Sequence, residues 1–218
     1  MLELIIGIIA SLVGAIIWQI SGLIFPKIKT PANFLLSLFG YKKQRVFSDF
    51  NAAQKYINKG IQKSKSIKYM SIRGFPLTQE TYALRKALIA HFSPLKIESF
   101  SIMVSNPEGF FAKHRAKEYS KMDDITPERY LEQIEQSIKE ILDLKKNLPK
   151  IVLKLHDTPA IYRICIFDDY CLVGFYTQKH KGSNSPVYLF YREDLFYEIY
   201  ERYFDNIWDA SEEHRDDK

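Results

Sequence analysis

Residues 4–25 open the chain with 22 positions that carry no charge and few polar side chains, chiefly Ser11, Gln19 and Ser21. At ~1.5 Å per residue such a run makes a helix of about 33 Å, long enough for a ~30 Å hydrocarbon core. A core helix of that length would show a polar stripe, and this one has none. A cleaved leader would need a basic start and a shorter apolar run, whereas Met1-Leu2-Glu3 is acidic. The pattern therefore predicts a transmembrane anchor over residues 1–26. Thr30 and Pro31 then mark a helix start and Gly40 a stop. Between them, Phe34, Leu35, Leu36, Leu38 and Phe39 suit either a short interfacial helix or a core helix of the body. Residues 27–48 are read as a juxtamembrane interfacial segment.

From residue 49 the periodicity alternates between helical and extended. Asp49 can cap a helix to about Lys65, with Phe50, Ala53, Tyr56, Ile57 and Ile61 on one side. Residues 66–72 alternate as a strand and stop at the breakers Arg73-Gly74-Phe75-Pro76. Thr78 is expected to open a helix to about Phe92, residues 98–104 a second strand, and residues 110–122 a further helix. Thr126-Pro127 should cap a helix to about Lys146 that carries Tyr130, Ile134, Ile138, Ile141 and Leu142. Beyond Pro149, residues 151–155, 161–167, 170–176 and 187–191 read as four short strands. A last helix is expected over 193–210, and the charged tail 211–218 is expected to fray. Strands and helices in this order predict one α/β domain over 49–210, a sandwich with a single mixed sheet. In such sheets ligands collect at the carboxyl ends of strands. Here those ends hold Arg73-Gly74, Ser105-Asn106 and Lys154 to His156.

Composition and charge sharpen this picture. With 46% hydrophobic residues, 9 Gly and 9 Pro in 218, the chain is neither disordered nor collagenous. Its two cysteines, Cys165 and Cys171, provide no disulfide framework and no zinc ligand set. The formal charge is +5, with −1 on residues 1–26 and −4 on 205–218, which leaves +10 on 27–204. A basic body suits anionic neighbours, and it equally suits a lysine-rich solvated surface. Lys27, Lys29, Lys42, Lys43 and Arg45 follow the apolar run, whereas Glu3 alone precedes it. The positive-inside rule then predicts a single-pass inner (plasma) membrane protein, amino terminus outside and body cytoplasmic. Its first expected partner is the lipid bilayer. Gly7, Ser11, Gly14, Trp18 and Ser21 recur at helical spacing, and this mostly small-residue face is one route to a homo-oligomer. The soluble domain is the other.

The stretch 161–177, IYRICIFDDYCLVGFYT, resembles the signature region of the phospholipase D superfamily. That motif reads HxKxxxxD followed by a GSxN-like end. Ile161 stands where the histidine belongs, Arg163 where the lysine belongs, and Asp168 at the aspartate. Gly174 matches the glycine one residue early, and Phe175 and Thr177 replace the serine and asparagine. Over residues 66–210 the order of strands and helices also resembles one half-domain of that family. The resemblance implies a phospholipase D-like sandwich carrying one motif per chain, so that a dimer would be needed for two. In the family a histidine attacks phosphorus and lysines stabilise the phosphoryl oxygens. Ile161 cannot be that nucleophile, while Arg163 can still bind phosphate.

The expected ligand is an anionic phosphate compound: a nucleotide, a nucleic acid or a lipid headgroup. Arg73, Arg115, Lys154 and Arg163 are the candidate phosphate contacts, Tyr162 and Tyr176 the candidate stacking surfaces, and Asp168 and Gly174 structural motif positions. Each has an ordinary surface or core alternative. His156, beside Asp157 and two residues after Lys154, is the one candidate for acid–base chemistry, or else a polar strand end. His91, His114, His180 and His214 lie in no motif, and no Walker loop, GxGxxG after a strand or GxSxG occurs. No cofactor and no metal are implied. The preferred reading is a membrane-anchored domain that binds or senses phosphate without catalysis. The alternatives are a dimeric phosphodiesterase, acting as nuclease or phospholipase with an altered site, and a structural scaffold.

Overall fold

The computed structural model describes residues 45–79, 83–90, 97–122, 124–159, 161–176 and 185–214. All of them fall in one compact unit, Gln44–Lys218. The expected membrane span, the small-residue face Gly7, Ser11, Gly14 and Ser21, and the segment around Phe34 to Phe39 lie outside the described residues. Among the described residues no helix is long and apolar enough to cross a membrane.

The centre of the unit is an eight-stranded mixed sheet. Its parallel part is β2 (Ser66–Ser71), β3 (Ser99–Ser105) and β4 (Ile151–His156), with Ile67 opposite Phe100 and Ile102 opposite Leu153. On the other side of β2 the sheet turns antiparallel through β5 (Tyr162–Phe167), β6 (Tyr170–Phe175) and β7 (Val187–Tyr191). Two short edge strands complete the order β1-β7-β6-β5-β2-β3-β4-β8: β1 (Arg45–Phe47) and β8 (Glu212–Glu213). Thus β1, which falls in the stretch read from sequence as juxtamembrane, pairs with β7. The mixed-sheet α/β architecture expected from the alternation is the one observed.

Strands β5 and β6 are buried along nearly their whole length because both faces of the sheet are covered. One face carries Ile67, Tyr69, Phe100, Ile102, Val104, Leu153, Cys165 and Phe167. Against it pack α1 (Gln54–Lys63), α3 (Ala83–Ala90), α4 (Phe110–Tyr119) and α5 (Pro127–Asn147) through Ile57, Leu84, Ala112, Ile134 and Ile141. The other face presents Met70, Met103, Ile164, Ile166 and Val173 to α6 (Leu195–Ala210), which covers it with Tyr197, Tyr200, Phe204 and Ile207. Lys68 fixes that helix further, its Nζ lying 2.7 Å from Asp205 and 3.3 Å from Glu201.

Three expected features shift. Thr78 ends a helix instead of opening one: α2 (Phe75–Thr78) begins after Gly74 with Pro76 in its first turn, and Gln79 is extended. Asp49 caps a turn, accepting from the Ala52 amide at 2.9 Å, and the regular helix starts only at Gln54. The tail does not fray at its start. Glu212 and Glu213 pair antiparallel with Leu155 and Lys154, and the His214 amide donates to the Leu153 carbonyl at 3.0 Å.

Candidate functional site

At the carboxyl end of β2 the chain must leave the sheet sharply. Gly74 makes that turn with φ +72°, a left-handed conformation that suits glycine, and its amide donates to Ser71 Oγ at 3.0 Å. Arg73 is thereby turned towards α5 and α4. Its guanidinium carbon sits 4.3 Å from the ring centroid of Phe75, 4.7 Å from Tyr119 and 4.9 Å from Tyr130. Gln133, one turn beyond Tyr130, accepts from Nη1 at 2.8 Å, and the Tyr119 hydroxyl accepts from Nη2 at 3.3 Å. An aromatic cage of this kind holds a cation without neutralising it.

Two more arginines reach the same place from other elements. Arg115, 5% exposed on α4, donates to Glu118 at 3.0 Å. The helix that carries it is capped from outside: the Phe110 and Phe111 amides donate to the two Asp157 carboxylate oxygens at 3.0 and 2.9 Å. That contact satisfies helix amides that have no partner of their own and places negative charge at the positive helix end. Arg163, 7% exposed on β5, lies 5.3 Å from the Phe50 ring and 5.5 Å from the Tyr176 ring. Its Nε donates to the Tyr176 hydroxyl at 3.4 Å, which also accepts from the Ile72 amide at 3.4 Å.

The three guanidinium groups bound one small cavity of about 20 Å³, together with Tyr119, Tyr130 and Tyr176. No carboxylate and no histidine line it among the described residues. Beside it, burial holds the Tyr130 phenol above its ordinary range, against the pull of the Arg73 charge. Tyr69, fully buried, is raised in the same way, with Arg163 opposing. Buried like charges are costly unless something of opposite sign joins them. Permanent cations with planar donor forks, two of them buried and one half-buried, are groups that can hold an anion.

The structure brings together Arg73, Arg115, Arg163 and Tyr176 of the six ligand candidates. Lys154 and Tyr162 lie on the opposite face, under α6. Lys154 Nζ donates to the Trp208 carbonyl at 2.8 Å and sits 4.8 Å from the Trp208 ring. Tyr162 is not open for stacking there, since it packs edge-on against Phe175, Tyr200 and Tyr203.

His156 follows the parity of Lys154, borders a cleft with Ile207 and Ser211, and is 2% exposed. Its Nδ1 is 2.8 Å from Thr158 Oγ1. Burial lowers its pKa to about 4, with the Ser71 backbone and Asp157 pulling the other way. His156 and Arg163 therefore project to opposite sides of the sheet, and Asp157 is committed to the α4 cap. His114 is exposed and stacks on Phe110 at 6.1 Å; His91 and His180 lie outside the described residues.

Of the motif positions, Asp168 accepts from the Lys65 and Ser66 amides at 2.7 and 3.1 Å, tying the β5–β6 hairpin to the start of β2. Gly174 pairs with Arg163, and a Cβ there would make ordinary contacts, 3.5 Å from Val187. Ile161 stands 44% exposed just before β5. The aromatic wall of Phe50, Phe75, Tyr119 and Tyr130 is the part that sequence reasoning missed. Its one signal was Arg73 next to Phe75 at a strand end.

No protein-family model and no curated protein matches the chain. Among solved structures it is similar to TrmBL2, an archaeal chromatin protein whose structure shows a novel mode of DNA binding. The identity is 10% and the TM-score 0.47, over 97% of this chain and 67% of that one. It is also similar to Nuc from Salmonella typhimurium, a phospholipase D family member, at 16% identity and a TM-score of 0.47, over 79% and 99% of the two chains. For NucT from Helicobacter pylori the values are 14% and 0.43, over 79% and 99%. At this level of likeness, function has to be read from the side chains of this chain.

Proposed function

We propose that the chain binds or senses a phosphate-bearing anion at the cavity of Arg73, Arg115 and Arg163, without hydrolysing it. The observation that carries this reading is the convergence of three buried or half-buried guanidinium groups, from a post-strand turn, a helix and a hairpin strand, on one cavity without a lining carboxylate among the described residues. Nothing in apolar packing calls for three such groups at one point, whereas a phosphate supplies the opposite charge and enough acceptors for all of them. Binding is favoured over turnover because the buried histidine sits on the far face of the sheet from Arg163. The reading includes the apolar run 4–25 as a single-pass inner-membrane anchor with the anion-binding domain on the cytoplasmic side, which the basic residues that follow the run support.

The test is a calorimetric titration of the full-length chain with nucleotides and anionic headgroup analogues, run beside a phosphodiesterase assay. Arg163→Ala should weaken phosphate binding roughly ten- to a hundred-fold, the effect of losing a charge-assisted contact of ~1.5–3 kcal/mol. His156→Ala should leave binding unchanged. Turnover abolished by His156→Ala would replace binding with catalysis, and absence of binding to every phosphate compound would leave a scaffold.

A further inference from the structure

Six large apolar side chains are exposed among the described residues: Val46, Phe110, Ile161, Leu195, Phe196 and Ile199. Four of them lie along one edge of the domain, on the α6 face of the sheet. Leu195, Phe196 and Ile199 are 57%, 43% and 47% exposed in the first turns of α6. At 3.6 residues per turn they share an arc of about 100°. Tyr197, Tyr200 and Phe204 already supply the arc that packs on the sheet, so α6 carries a second apolar arc that faces away from it. Phe196 packs on Phe190 at 5.2 Å, and Phe190 stacks on Tyr188 at 6.4 Å. Tyr188 in turn stands opposite Val46 of β1, itself 57% exposed. The stripe therefore runs from the helix across β7 to the edge of the sheet.

The course of the chain indicates what covers it. β1 and β7 are antiparallel, with Arg45 opposite Leu189 and Phe47 opposite Val187. The chain thus enters β1 at Arg45, at the end of β7 that runs on into α6. Residues 26–44 join that point to the apolar run 4–25. With the run anchored in a bilayer, the tethered end of the domain is the end that carries the exposed stripe. Tethering makes contact with lipid intramolecular, so a stripe too weak to bind a membrane alone is enough. Charges beside the stripe balance, Arg192 and Arg202 against Glu193 and Glu198, with Arg202 paired to Glu198. Apolar and aromatic groups therefore carry the contact, and attraction to anionic lipid does not. Half-buried Tyr188 and Tyr203 at its margins are rings with a polar tip, which suit the boundary between lipid and water.

Resting on the membrane-anchor reading above, we propose that Val46, Leu195, Phe196 and Ile199 dock the domain on the surface of the bilayer that holds residues 4–25. The arginine cavity lies on the opposite face of the sheet, beside α4 and α5, and is thereby turned towards the aqueous phase. Its ligand then arrives from solution and not from the lipid on which the domain rests.

The experiment places an environment-sensitive fluorophore on the full-length chain at Ile199→Cys and, as a control, at Lys139→Cys on the exposed side of α5. Cys165 and Cys171 are buried and do not compete for the label. The chain is reconstituted in phosphatidylcholine vesicles in which part of the lipid carries a spin label high on its acyl chain. The fluorophore at 199 should be quenched at least about twofold more than that at 139, in high salt as in low. Leu195→Gln combined with Phe196→Gln should bring position 199 down to the level of position 139. Equal quenching at the two positions of the otherwise wild-type chain, with the chain still held by the vesicles through alkaline extraction, would overturn the docking and leave the anchor standing. Release of the chain by alkaline extraction would remove the anchor, and the docking with it. Disulfide crosslinking between two Ile199→Cys chains, with position 199 shielded from the lipid label, would give the stripe to a second copy and overturn the docking likewise.

Discussion

On the proposed reading, Arg163 is a residue whose value to binding and cost to folding pull apart. Its guanidinium is buried beside aromatic rings and shares a cavity with two other cations. Three like charges around one cavity repel one another, so an apolar side chain of similar length at this position relieves that repulsion and the cost of burying the charge. Arg163→Met should therefore unfold in urea at the wild-type midpoint or above it, while losing phosphate affinity. A large fall in midpoint would mean that the arginine is there for packing. His156 makes a second prediction, with a definite sign. Its folded pKa of about 4 lies below the ordinary 6.5, so between these values the unfolded chain binds the proton and the folded chain does not. Its stabilising contribution is complete above pH 6.5 and drains away as the pH falls towards 4, by about 3 kcal/mol in all. Urea midpoints of wild type and His156→Leu should converge, or cross, over that window; parallel pH profiles would remove the histidine as the cause.

The elements that build the site depend on two backbone devices. Gly74 turns Arg73 out of the sheet at φ +72°, and an added Cβ would meet Val104 and Ser137 at 3.2 Å. Gly74→Ala should cost about 1–2 kcal/mol in left-handed strain and weaken anion binding through the shifted Arg73. Asp157 caps α4, so Asp157→Ala should cost about 1 kcal/mol and lower affinity through Arg115, although Asp157 touches no ligand group. Circular dichroism melts read beside binding curves check both variants. Most elements were legible because their periodicity is strong: α5 shows its cap at Thr126, and β5, β6 and β7 are rich in β-branched and aromatic residues. Thr78 misled because threonine before an apolar stretch imitates a helix start, while Pro76 had already begun a short helix. Strand β8 was invisible because Glu212-Glu213 has no strand propensity. It forms by docking on the open edge of β4, a tertiary effect.

At the scale of the whole molecule, the two faces of the sheet decide which candidates can work together. Arg73, Arg115 and Arg163 are far apart in sequence, and only the order β5-β2-β3 with α4 and α5 on one face unites them. Strand-end position pointed to Arg73, and the motif resemblance to Arg163. Lys154 and His156 shared that logic yet lie under α6, because the apolar run Ile151-Val152-Leu153 conceals which side each residue faces. The proposed topology has its own check: protease added to intact cells should spare the body and cut it only after permeabilisation, since five basic residues follow the apolar run and Glu3 alone precedes it. The most direct measurement of the proposed anion site is the thermal midpoint of the full-length chain against inorganic phosphate concentration at pH 7.5. A ligand that binds only the folded state raises the midpoint progressively once its concentration exceeds Kd. Wild type and Lys154→Met should climb together, while Arg73→Met, Arg115→Met and Arg163→Met stay flat. Arginine variants that climb as wild type does, or a Lys154→Met that stays flat, would place the anion elsewhere and contradict the site.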